Sequence, residues 1–231
     1  MSTAIIDARG VTKVYSLPAG DFTALHEIDL QVEAGEFLAV VGRSGSGKTT
    51  LLNLLAGIDR ATTGTVTIDG TELGTLNESR LARARGASIG LVFQFFQLLP
   101  TLTVLENVML PMDFAGGSTS AERRSRGLEL LERVGIVEQA NKLPSTLSGG
   151  QQQRAAIARA LANDPPVLLA DEPTGNLDSA TADAVLGLFA SLADSGKAVV
   201  MVTHDRDASG FASRQLTLAD GHVSADTLVF A

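Results

Sequence analysis

Four short apolar runs along the chain lack the alternation of a half-exposed strand, and each predicts a strand buried on both faces. The runs are "EFLAVV" (36–41), "SIGLVF" (88–93), "PVLLA" (166–170) and "KAVVMVT" (197–203). Helical patterns separate them at 77–85, 120–134, 149–162 and 179–193. Buried strands that alternate with helices are typical of parallel sheets covered on both sides. The pattern therefore predicts an α/β fold with a mostly parallel sheet.

The first third of the chain follows a different pattern. The stretches "AIIDARGVTKVY", "HEIDLQVEAG" and "TVTIDGTEL" alternate apolar and polar residues around "DG" and "AG" turns, which indicates antiparallel strands with one wet face. Residues 94–163 carry little strand signal, so we predict that they form a helical subdomain inserted between core strands. We expect a single domain over 1–231, in which 1–93 and 164–231 form the core together with the antiparallel part.

Polar side chains follow each of the four buried runs directly. "GRSGSGKTT" follows the first, Gln94 the second, Asp171 and Glu172 the third, and His204 with Asp205 the fourth. Ligands of open α/β sheets bind outside the carboxyl ends of the strands, so we expect these groups to face one site. Taken alone, Gln94 or His204 fits an ordinary loop residue at a strand end as well as it fits a site residue. Their occurrence after all four strands favours a common site.

The first of these stretches is a phosphate loop. "GRSGSGKT" fits the pattern G-x-x-x-x-G-K-[ST] between a predicted strand and a predicted helix. The glycines let backbone N–H groups wrap phosphates without a Cβ in the way. Lys48 would reach the β- and γ-phosphates, and Thr49 would offer its hydroxyl to Mg²⁺. The predicted nucleotide-binding residues here are Gly42, Arg43, Ser44, Gly45, Ser46, Gly47, Lys48, Thr49 and Thr50.

The acidic pair in "VLLADEP" supplies the other half of a nucleotide-hydrolysing site. Asp171 at a strand end is suited to hold Mg²⁺, directly or through water. Glu172 would face the γ-phosphate and orient or deprotonate the attacking water. A surface acidic pair is the plain alternative, but the buried strand that precedes these acids favours the catalytic interpretation.

Composition narrows the function classes. The chain has 231 residues and a formal net charge of −8, which argues against a dedicated nucleic-acid binder because such proteins usually carry a basic face. It has no cysteine, so disulfides, thiolate metal sites and cysteine nucleophiles are excluded. The start of the chain lacks the pattern of a signal peptide, and no apolar run is long enough to span a bilayer.

"LSGGQQQR" (147–154) predicts a second phosphate site in the same chain. A serine and two glycines precede a run of helix formers, which is typical of a helix start. Helix N-termini attract phosphate because their first N–H groups are unpaired and carry partial positive charge. One chain therefore has two sequence features suited to one kind of ligand.

Over essentially its whole length the sequence resembles the ATP-binding subunits of ABC transporters. The matching motifs, in the order of that family, are "GRSGSGKTT", Gln94, "LSGGQQQR", "VLLADEP", "GNLDS" and "VTHD". The resemblance implies the ABC ATPase fold, a P-loop NTPase core with an N-terminal antiparallel β subdomain and an inserted helical subdomain. It also implies hydrolysis of ATP with Mg²⁺, and it explains the two phosphate sites. Family members form head-to-tail homodimers that clamp each nucleotide between the phosphate loop of one subunit and the signature helix of the other.

The resemblance assigns further roles residue by residue. Ser148, Gly149, Gly150 and Gln151 would bind the γ-phosphate held by Lys48 of the facing subunit. Tyr15 would stack on adenine, with a partly buried strand tyrosine as the alternative. Gln94 would sense Mg²⁺ and the attacking water, His204 would contact the γ-phosphate, and Asp178 would cross the dimer interface. His26 and His222 fit no motif and are predicted to be ordinary surface or turn residues.

Within the family, the stretches around "ADEPTGNLD" and "FQFFQLLPTLTVLENV" resemble the group that serves macrolide export and lipoprotein release, the MacB/LolD/FtsE-like ATPases. That likeness implies an FtsX/MacB-like membrane permease as partner, a peripheral location at the cytoplasmic face of the cell membrane, and membrane contact only through the permease. Phe95, Phe96, Leu98 and Leu99 flank Gln94 and would line a groove for a permease helix; core packing is the equal alternative.

Two other functions compete with a transport-coupled ATPase. A soluble ABC ATPase that acts on nucleic acid or ribosomes would usually carry a coiled-coil insertion or tandem ATPase domains, and this acidic chain has neither. A regulatory module without hydrolysis would lack the base or the switch histidine, but Glu172 and His204 are both present. The sequence therefore favours an ATPase that drives export or mechanical transmission through a separate permease.

Overall fold

The computed structural model describes residues 4–18, 20–204 and 210–229. The strands, in chain order, are β1 Ile6–Leu17, β2 Gly20–Val32, β3 Phe37–Val41, β4 Thr63–Ile68, β5 Thr71–Glu72, β6 Ile89–Phe93, β7 Val167–Asp171, β8 Ala198–Thr203, β9 Arg214–Ala219 and β10 His222–Leu228. The α-helices are α1 Lys48–Leu55, α2 Glu78–Ser88, α3 Val104–Ala115, α4 Ser120–Arg133, α5 Gly149–Ala160 and α6 Ser179–Asp194.

A six-stranded sheet in the order β10-β9-β3-β8-β7-β6 forms the centre of the molecule. The four predicted buried runs are its strands β3, β6, β7 and β8, and they pair in parallel, which confirms the predicted fold class. β9 also pairs with β3 in parallel, and β10 closes one edge as an antiparallel hairpin partner of β9. The carboxyl ends of the four predicted strands therefore meet at one edge of the sheet.

The central strands lack alternation because both faces of the sheet are covered. Alternate residues of β3 enter different hydrophobic cores: Phe37 and Ala39 pack on one side, and Leu38 and Val40 on the other. The first side is covered by α5 and α6, and the second by α1. Every position of β3 and β8 is consequently buried, and all of these residues except Thr203 are apolar.

A second, four-stranded sheet in the order β2-β1-β4-β5 contains only antiparallel pairs, as the alternating N-terminal pattern predicted. Its central strand β1 pairs with β2 on one side and with β4 on the other, so that Ile6 lies opposite both Val32 and Ile68. Further along the same pair of strands, Tyr15 lies directly opposite Phe22. This end of the sheet lies beside the site described below.

Helices α3, α4 and α5 lie between β6 and β7 and pack on one another through residues such as Leu105, Leu131 and Ile157. Helix α3 was not among the periodic patterns, because "VLENVMLPMDFA" is apolar on most of its surface and contains Pro111. Val104 and Val108 of α3 are fully buried in the core of this subdomain. Thr119 and Thr103 start α4 and α3 with reciprocal capping boxes. Within the described residues, no helix has both the length and the apolar character needed to cross a membrane.

Candidate functional site

A cleft of about 550 Å³ opens at the carboxyl ends of β3, β7 and β8. Residues from the phosphate loop, from the acidic pair and from strand β2 line it together. The lining residues are Phe22, Ala24, Ser44, Gly45, Gly47, Lys48, Thr49, Thr50, Glu172 and His204. Polar groups were predicted to meet at the ends of four strands, and the groups that follow three of these strands do line one cleft.

The phosphate loop is held in shape by its neighbours on both sides. Gly47 precedes α1 in a left-handed conformation with φ of 101°, and a Cβ there would lie 2.7 Å from the carbonyl oxygen of Ala24. On the other side, the amide of Gly221 in the turn between β9 and β10 donates to the carbonyl of Ser46 at 3.2 Å. Only glycine satisfies both the positive φ and the close approach at position 47. Strand β2 and the last hairpin thus brace the loop.

Two groups of the loop suit a triphosphate. Lys48 is buried, and its ammonium donates to the carbonyl oxygens of Gly42 and Arg43 at 2.8 and 2.9 Å, so the positive charge is kept at the base of the loop. The hydroxyl of Ser46 is also buried and has no hydrogen-bond partner among the residues that the structure describes. A buried polar atom without a partner is unfavourable, so a bound phosphate oxygen would relieve it. The loop therefore fits the predicted ligand.

Asp171 lies at the end of β7, half-buried against the start of α1. Burial raises the pKa of its carboxyl, and the negative charge of Glu172 raises it further, although the hydroxyl of Thr49 and the charge of Lys48 act in the opposite direction. Thr49 and Asp171 thus place a hydroxyl and a carboxylate side by side. Hard oxygen ligands of this kind suit Mg²⁺, which usually takes one or two protein oxygens together with substrate phosphates. No group of three or more metal-binding side chains occurs among the residues that the structure covers.

Glu172 turns out of the sheet into the cleft. Its backbone has φ of 44°, a conformation that costs a residue with a side chain about 1–3 kcal/mol. The amide of Glu172 donates to the carbonyl of Val202 at 2.9 Å and thereby fixes this turn to β8. Nδ1 of His204 lies 2.8 Å from Oε2 of Glu172. The predicted base and the predicted switch residue therefore contact each other; Asp205 lies outside the described residues.

Gln94 is not part of the cleft lining. It follows β6, and its carbonyl accepts a hydrogen bond from Nδ2 of Asn176 at 3.1 Å. Its side chain lies so close to the chain at Gly175 that a Cβ there would be 2.9 Å from Nε2. Gln94 is thus held by the loop that leads from Glu172 to α6. Its predicted role near Mg²⁺ stays a prediction.

Ser148, Gly149, Gly150, Gln151 and Asp178 form a second cluster away from the cleft lining. Ser148 caps α5 in a reciprocal capping box with Gln151. Asp178 caps α6, and its carboxylate accepts from the backbone amide and the hydroxyl of Thr181 at 3.1 and 2.7 Å.

These two helix starts touch each other. A Cβ at Gly150 would overlap Cγ2 of Thr181, so the two helices meet at a glycine that tolerates no side chain. Hydrogen bonds from the side chain and backbone of Thr181 lower the pKa of Asp178. The signature stretch and Asp178 therefore form one surface unit, separate from the phosphate loop of the same chain.

Tyr15 also lies outside the cleft lining. Its hydroxyl donates to Asp59 at 3.0 Å, and the ammonium of Lys13 stands 4.8 Å from the centre of its ring. Lys13 also forms an ion pair with Asp59 at 2.6 Å. Burial by itself raises the pKa of Asp59, but hydrogen bonds from Lys13, from an amide and from Tyr15 outweigh it, so the pKa lies below its usual range.

Two contacts next to the site have no signal in the sequence pattern. His26 and His222, predicted to be ordinary surface or turn residues, stack with ring centroids 4.3 Å apart beside the turn that braces the phosphate loop. Arg159, near the end of α5, donates to the carbonyl oxygens of Phe96 and Gln97 in the loop after Gln94. Both contacts join segments that are far apart in sequence. Local sequence patterns do not predict such contacts.

Arg159 stabilises an unfavourable backbone. Phe96 and Gln97 both have positive φ, 55° and 52°, a conformation that is unfavourable for residues with a side chain. Burial lowers the pKa of the Arg159 guanidinium. The ring of Phe96 also lies against Gly149, 3.8 Å from where its Cβ would be. Arg159 therefore connects the loop after Gln94 to the helix that carries the signature stretch.

We expect Arg159→Met to lower the free energy of unfolding by about 2–3 kcal/mol, because two carbonyl oxygens lose a charged donor while their loop remains strained. Urea denaturation of the purified chain measures this. Arg159→Lys, which keeps the charge and one donor direction, should recover part of the loss. A change below about 0.5 kcal/mol in Arg159→Met, the range of ordinary surface substitutions, would show that the contact does not stabilise the fold.

A protein-family model and several known proteins match this chain over most of its length. The family model described as "ABC transporter" matches residues 25–175. The chain is 45% identical over 222 residues to the ABC transporter ATP-binding protein YvrO of Bacillus subtilis, covering 96% of each. It is 45% identical over 224 residues to the lipoprotein-releasing system ATP-binding protein LolD of Shewanella denitrificans, again covering 96% of each.

A longer relative and a solved structure are also similar to this chain. The chain is 44% identical to the macrolide export ATP-binding/permease protein MacB 2 of Aeromonas hydrophila over 98% of its own length but only 35% of that protein. The ATP-binding cassette MJ0796, solved as a dimer in a post-hydrolysis state with ADP and Pi, superimposes with a TM-score of 0.90 at 43% identity, covering 98% of this chain and 99% of that one.

Proposed function

This chain belongs to the ABC transporter family of ATP-binding proteins, and from that premise we propose that it hydrolyses ATP to drive a membrane permease. The observation that carries the proposal is the shared cleft of Lys48 and Glu172. The buried ammonium of the phosphate loop after β3 and the carboxylate after β7, two strands away in the sheet, line the same cleft. That pairing binds a triphosphate and activates water beside it.

The phosphate loop would hold the triphosphate through the backbone amides of residues 43–49, with the ammonium of Lys48 on the β- and γ-phosphates. The ammonium has to leave the carbonyls of Gly42 and Arg43 for this, a short movement within the same loop. Thr49 and Asp171 would hold Mg²⁺, with Gln94 as a further ligand. When bound, Mg²⁺ neutralises charge on the phosphate oxygens and fixes their orientation.

In hydrolysis, water attacks the γ-phosphorus while the bond from that phosphorus to the bridging oxygen of ADP breaks. The carboxylate of Glu172 takes the proton of the attacking water, and phosphate and ADP leave. His204, at 2.8 Å from Glu172, would orient this carboxylate and contact the γ-phosphate from the end of β8. The strained backbone of Glu172 supports the assignment, since such strain persists where it positions a working group.

We propose that 1–231 form a single ABC ATPase domain. Its core comprises 1–93 and 164–231, and its helical subdomain comprises 94–163. Strand β6 ends at Phe93 and the next strand begins at Val167, with three α-helices and short 3-10 turns between them, which supports these limits.

Two copies of the chain would act as a head-to-tail homodimer with the nucleotide sandwiched between them. The position of Ser148, Gly149, Gly150, Gln151 and Asp178 away from the cleft of their own chain supports this arrangement. A phosphate in the cleft of one copy would meet the capped start of α5 in the other, where unpaired N–H groups attract anions. The solved cassette similar to this chain is itself a dimer. ATP would hold the dimer closed, and hydrolysis would release it.

The partner would be a membrane permease of the FtsX/MacB-like kind. The chain would then lie at the cytoplasmic face of the cell membrane, without membrane contact of its own and without a nucleic-acid partner. The names of its relatives support this, since one is an ATP-binding protein of lipoprotein release and another joins ATP-binding and permease parts in one chain. Export or mechanical transmission is the resulting function.

The surface after Gln94 suits permease contact. Phe95 and Leu99 are exposed, whereas Leu98 packs against the core and Phe96 lies against Gly149. Core packing therefore describes part of this stretch. The side chains of Phe95 and Leu99 are instead an exposed apolar pair that is available for contact. We define these two side chains as the permease-facing pair.

We expect Phe95→Glu to abolish copurification of a co-expressed permease of the FtsX/MacB-like kind, because a charge would be buried at the contact. Membrane pelleting and tag-based copurification measure the association. Leu228→Glu is the matched control: Leu228 is similarly exposed but lies on β10, at the opposite edge of the sheet from β6. Equal copurification of Phe95→Glu and the control would remove the permease-facing pair from this role.

A further inference from the structure

Asn107 lies near the start of α3 and is fully buried, although its side chain is polar. The side-chain amide pairs with the turn 99–103, which precedes the helix. Its Oδ1 accepts from the backbone amide of Leu99 at 2.7 Å, and its Nδ2 donates to the carbonyl oxygens of Leu99 at 3.1 Å, Leu102 at 3.1 Å and Thr103 at 3.0 Å. Both ends of a buried amide are thus satisfied by one short segment.

This pairing defines the backbone of the turn 99–103. The turn belongs to neither a helix nor a strand, so no regular ladder of hydrogen bonds sets its shape. The amide of Leu102 donates to the carbonyl of Leu99 at 3.2 Å, which closes the turn. Asn107 engages both the N–H and the C=O of Leu99, as the backbone of a neighbouring strand would. The orientation of Leu99 is therefore set from the core by Asn107.

Leu99 itself has little to do with the core of its own chain. Its residue is 44% exposed, whereas the preceding Leu98 packs against the core. Leu99 belongs to the permease-facing pair, and the loop next to the other member, Phe95, is anchored by Arg159. Each member of the pair thus has an anchor beside it. A fixed backbone under an exposed apolar side chain favours contact with another surface, because less freedom is lost when that contact forms.

We propose that Asn107 is a positioning residue for the permease contact: it holds Leu99 in the orientation in which the permease-facing pair docks. The inference rests on the proposed partnership with a membrane permease. Among the residues that the structure describes, the lining of the nucleotide cleft comes from segments other than 99–107. Loss of the Asn107 amide should therefore weaken association with the permease and leave the chemistry in the cleft unchanged.

The test measures ATP hydrolysis by the full chain while a purified permease of the FtsX/MacB-like kind, reconstituted in lipid nanodiscs, is titrated against it. The titration separates the basal rate, the maximal stimulated rate and the permease concentration at half-maximal stimulation. We expect Asn107→Leu, which has a similar size without hydrogen-bonding groups, to raise that concentration about tenfold, the cost of ordering about one side chain. The basal rate and the rate at saturating permease should not change.

Asn163→Leu is the matched control. Nδ2 of Asn163 donates to the carbonyl oxygens of Gly86 at 2.9 Å and Pro111 at 3.3 Å, so it makes the same kind of contact to α2 and α3 instead of to the turn 99–103. This variant should lose stability in urea denaturation, as Asn107→Leu does, but keep the permease concentration at half-maximal stimulation. Asn107→Ser is a milder second variant that decides the test if Asn107→Leu does not fold. Its hydroxyl can bond the carbonyl four residues earlier but is too short to hold Leu99.

Three results would overturn the inference. One is an unchanged permease concentration at half-maximal stimulation in the folded Asn107 variants. Another is an equal rise of that concentration in Asn163→Leu, which would make it an effect of general stability. The third is a lower basal rate of the Asn107 variants with unchanged half-maximal stimulation. Absence of stimulation in the unchanged chain would instead contradict the proposed permease partnership, so the outcomes for the two proposals are separate.

Discussion

Glu172→Gln is expected to bind ATP about as tightly as the unchanged chain and to hydrolyse it about 10²- to 10⁴-fold more slowly, the usual contribution of a general base. Glutamine has nearly the same shape as glutamate but cannot accept the proton of the attacking water. The phosphate loop, Lys48 and Thr49 are untouched, so binding persists. Because ATP is no longer consumed, the nucleotide-loaded dimer should accumulate.

Phosphate release measures the rate, and size-exclusion chromatography with light scattering in the presence of ATP measures the dimer. Glu132→Gln is the control, since it makes the same chemical change on the exposed side of α4. Loss of less than about a factor of ten in Glu172→Gln would assign the base to another group. Loss of ATP binding as well would indicate that Glu172 contributes to the fold of the cleft.

Ser148→Arg is expected to keep ATP binding and to lose ATP-induced dimerisation. The phosphate loop lies in a different part of the chain from the start of α5, so nucleotide still binds. The long arginine side chain would occupy the space in front of the capped helix start, where the γ-phosphate of the facing copy is proposed to dock. Loss of such a central contact weakens association by about 2 kcal/mol or more, a factor of about 30.

The capping role of Ser148 requires a separate control. Loss of the cap alone costs about 1 kcal/mol of stability. Ser148→Thr keeps a hydroxyl that can accept from the amide of Gln151, so it should retain both the cap and the dimer. Light scattering of both variants in the Glu172→Gln background separates the two effects. Normal dimerisation of Ser148→Arg would contradict the head-to-tail arrangement at this helix.

Direct contacts also link the segment after Glu172 to the helix that carries the signature stretch within one chain. The loop after Gln94 meets Asn176 on the path from Glu172 to α6, and its Phe96 lies against Gly149. Arg159 anchors the same loop from the other end of α5. Movement of the signature helix would therefore act on the loop that carries Phe95 and Leu99. This route depends on contacts between residues that are far apart in sequence: Arg159 and Phe96 are separated by 63 positions, and Asn176 and Gln94 by 82.

Sequence patterns predicted the central sheet well because a buried parallel strand has a strong local signature. β3, β6, β7 and β8 begin and end within one residue of the predicted runs. The phosphate loop, Glu172 and His204 were predicted together for the same reason: parallel strands necessarily bring their carboxyl ends to one edge. Residues 94–163 were predicted to be helical, but the 3.6-residue period of α3 itself is hidden in the sequence by an apolar surface with an internal proline.

The class of fold, the edge of the sheet where chemistry occurs and the residue types there could therefore be predicted, because they depend on local hydrophobic pattern and on the spacing of a few motifs. Three features could not be predicted without the folded chain: Phe22 borders the cleft, Glu172 contacts His204, and Arg159 anchors the loop after Gln94. Each of these depends on strand register or on the reach of one side chain across the fold. Such contacts follow from packing in three dimensions, which no local pattern records.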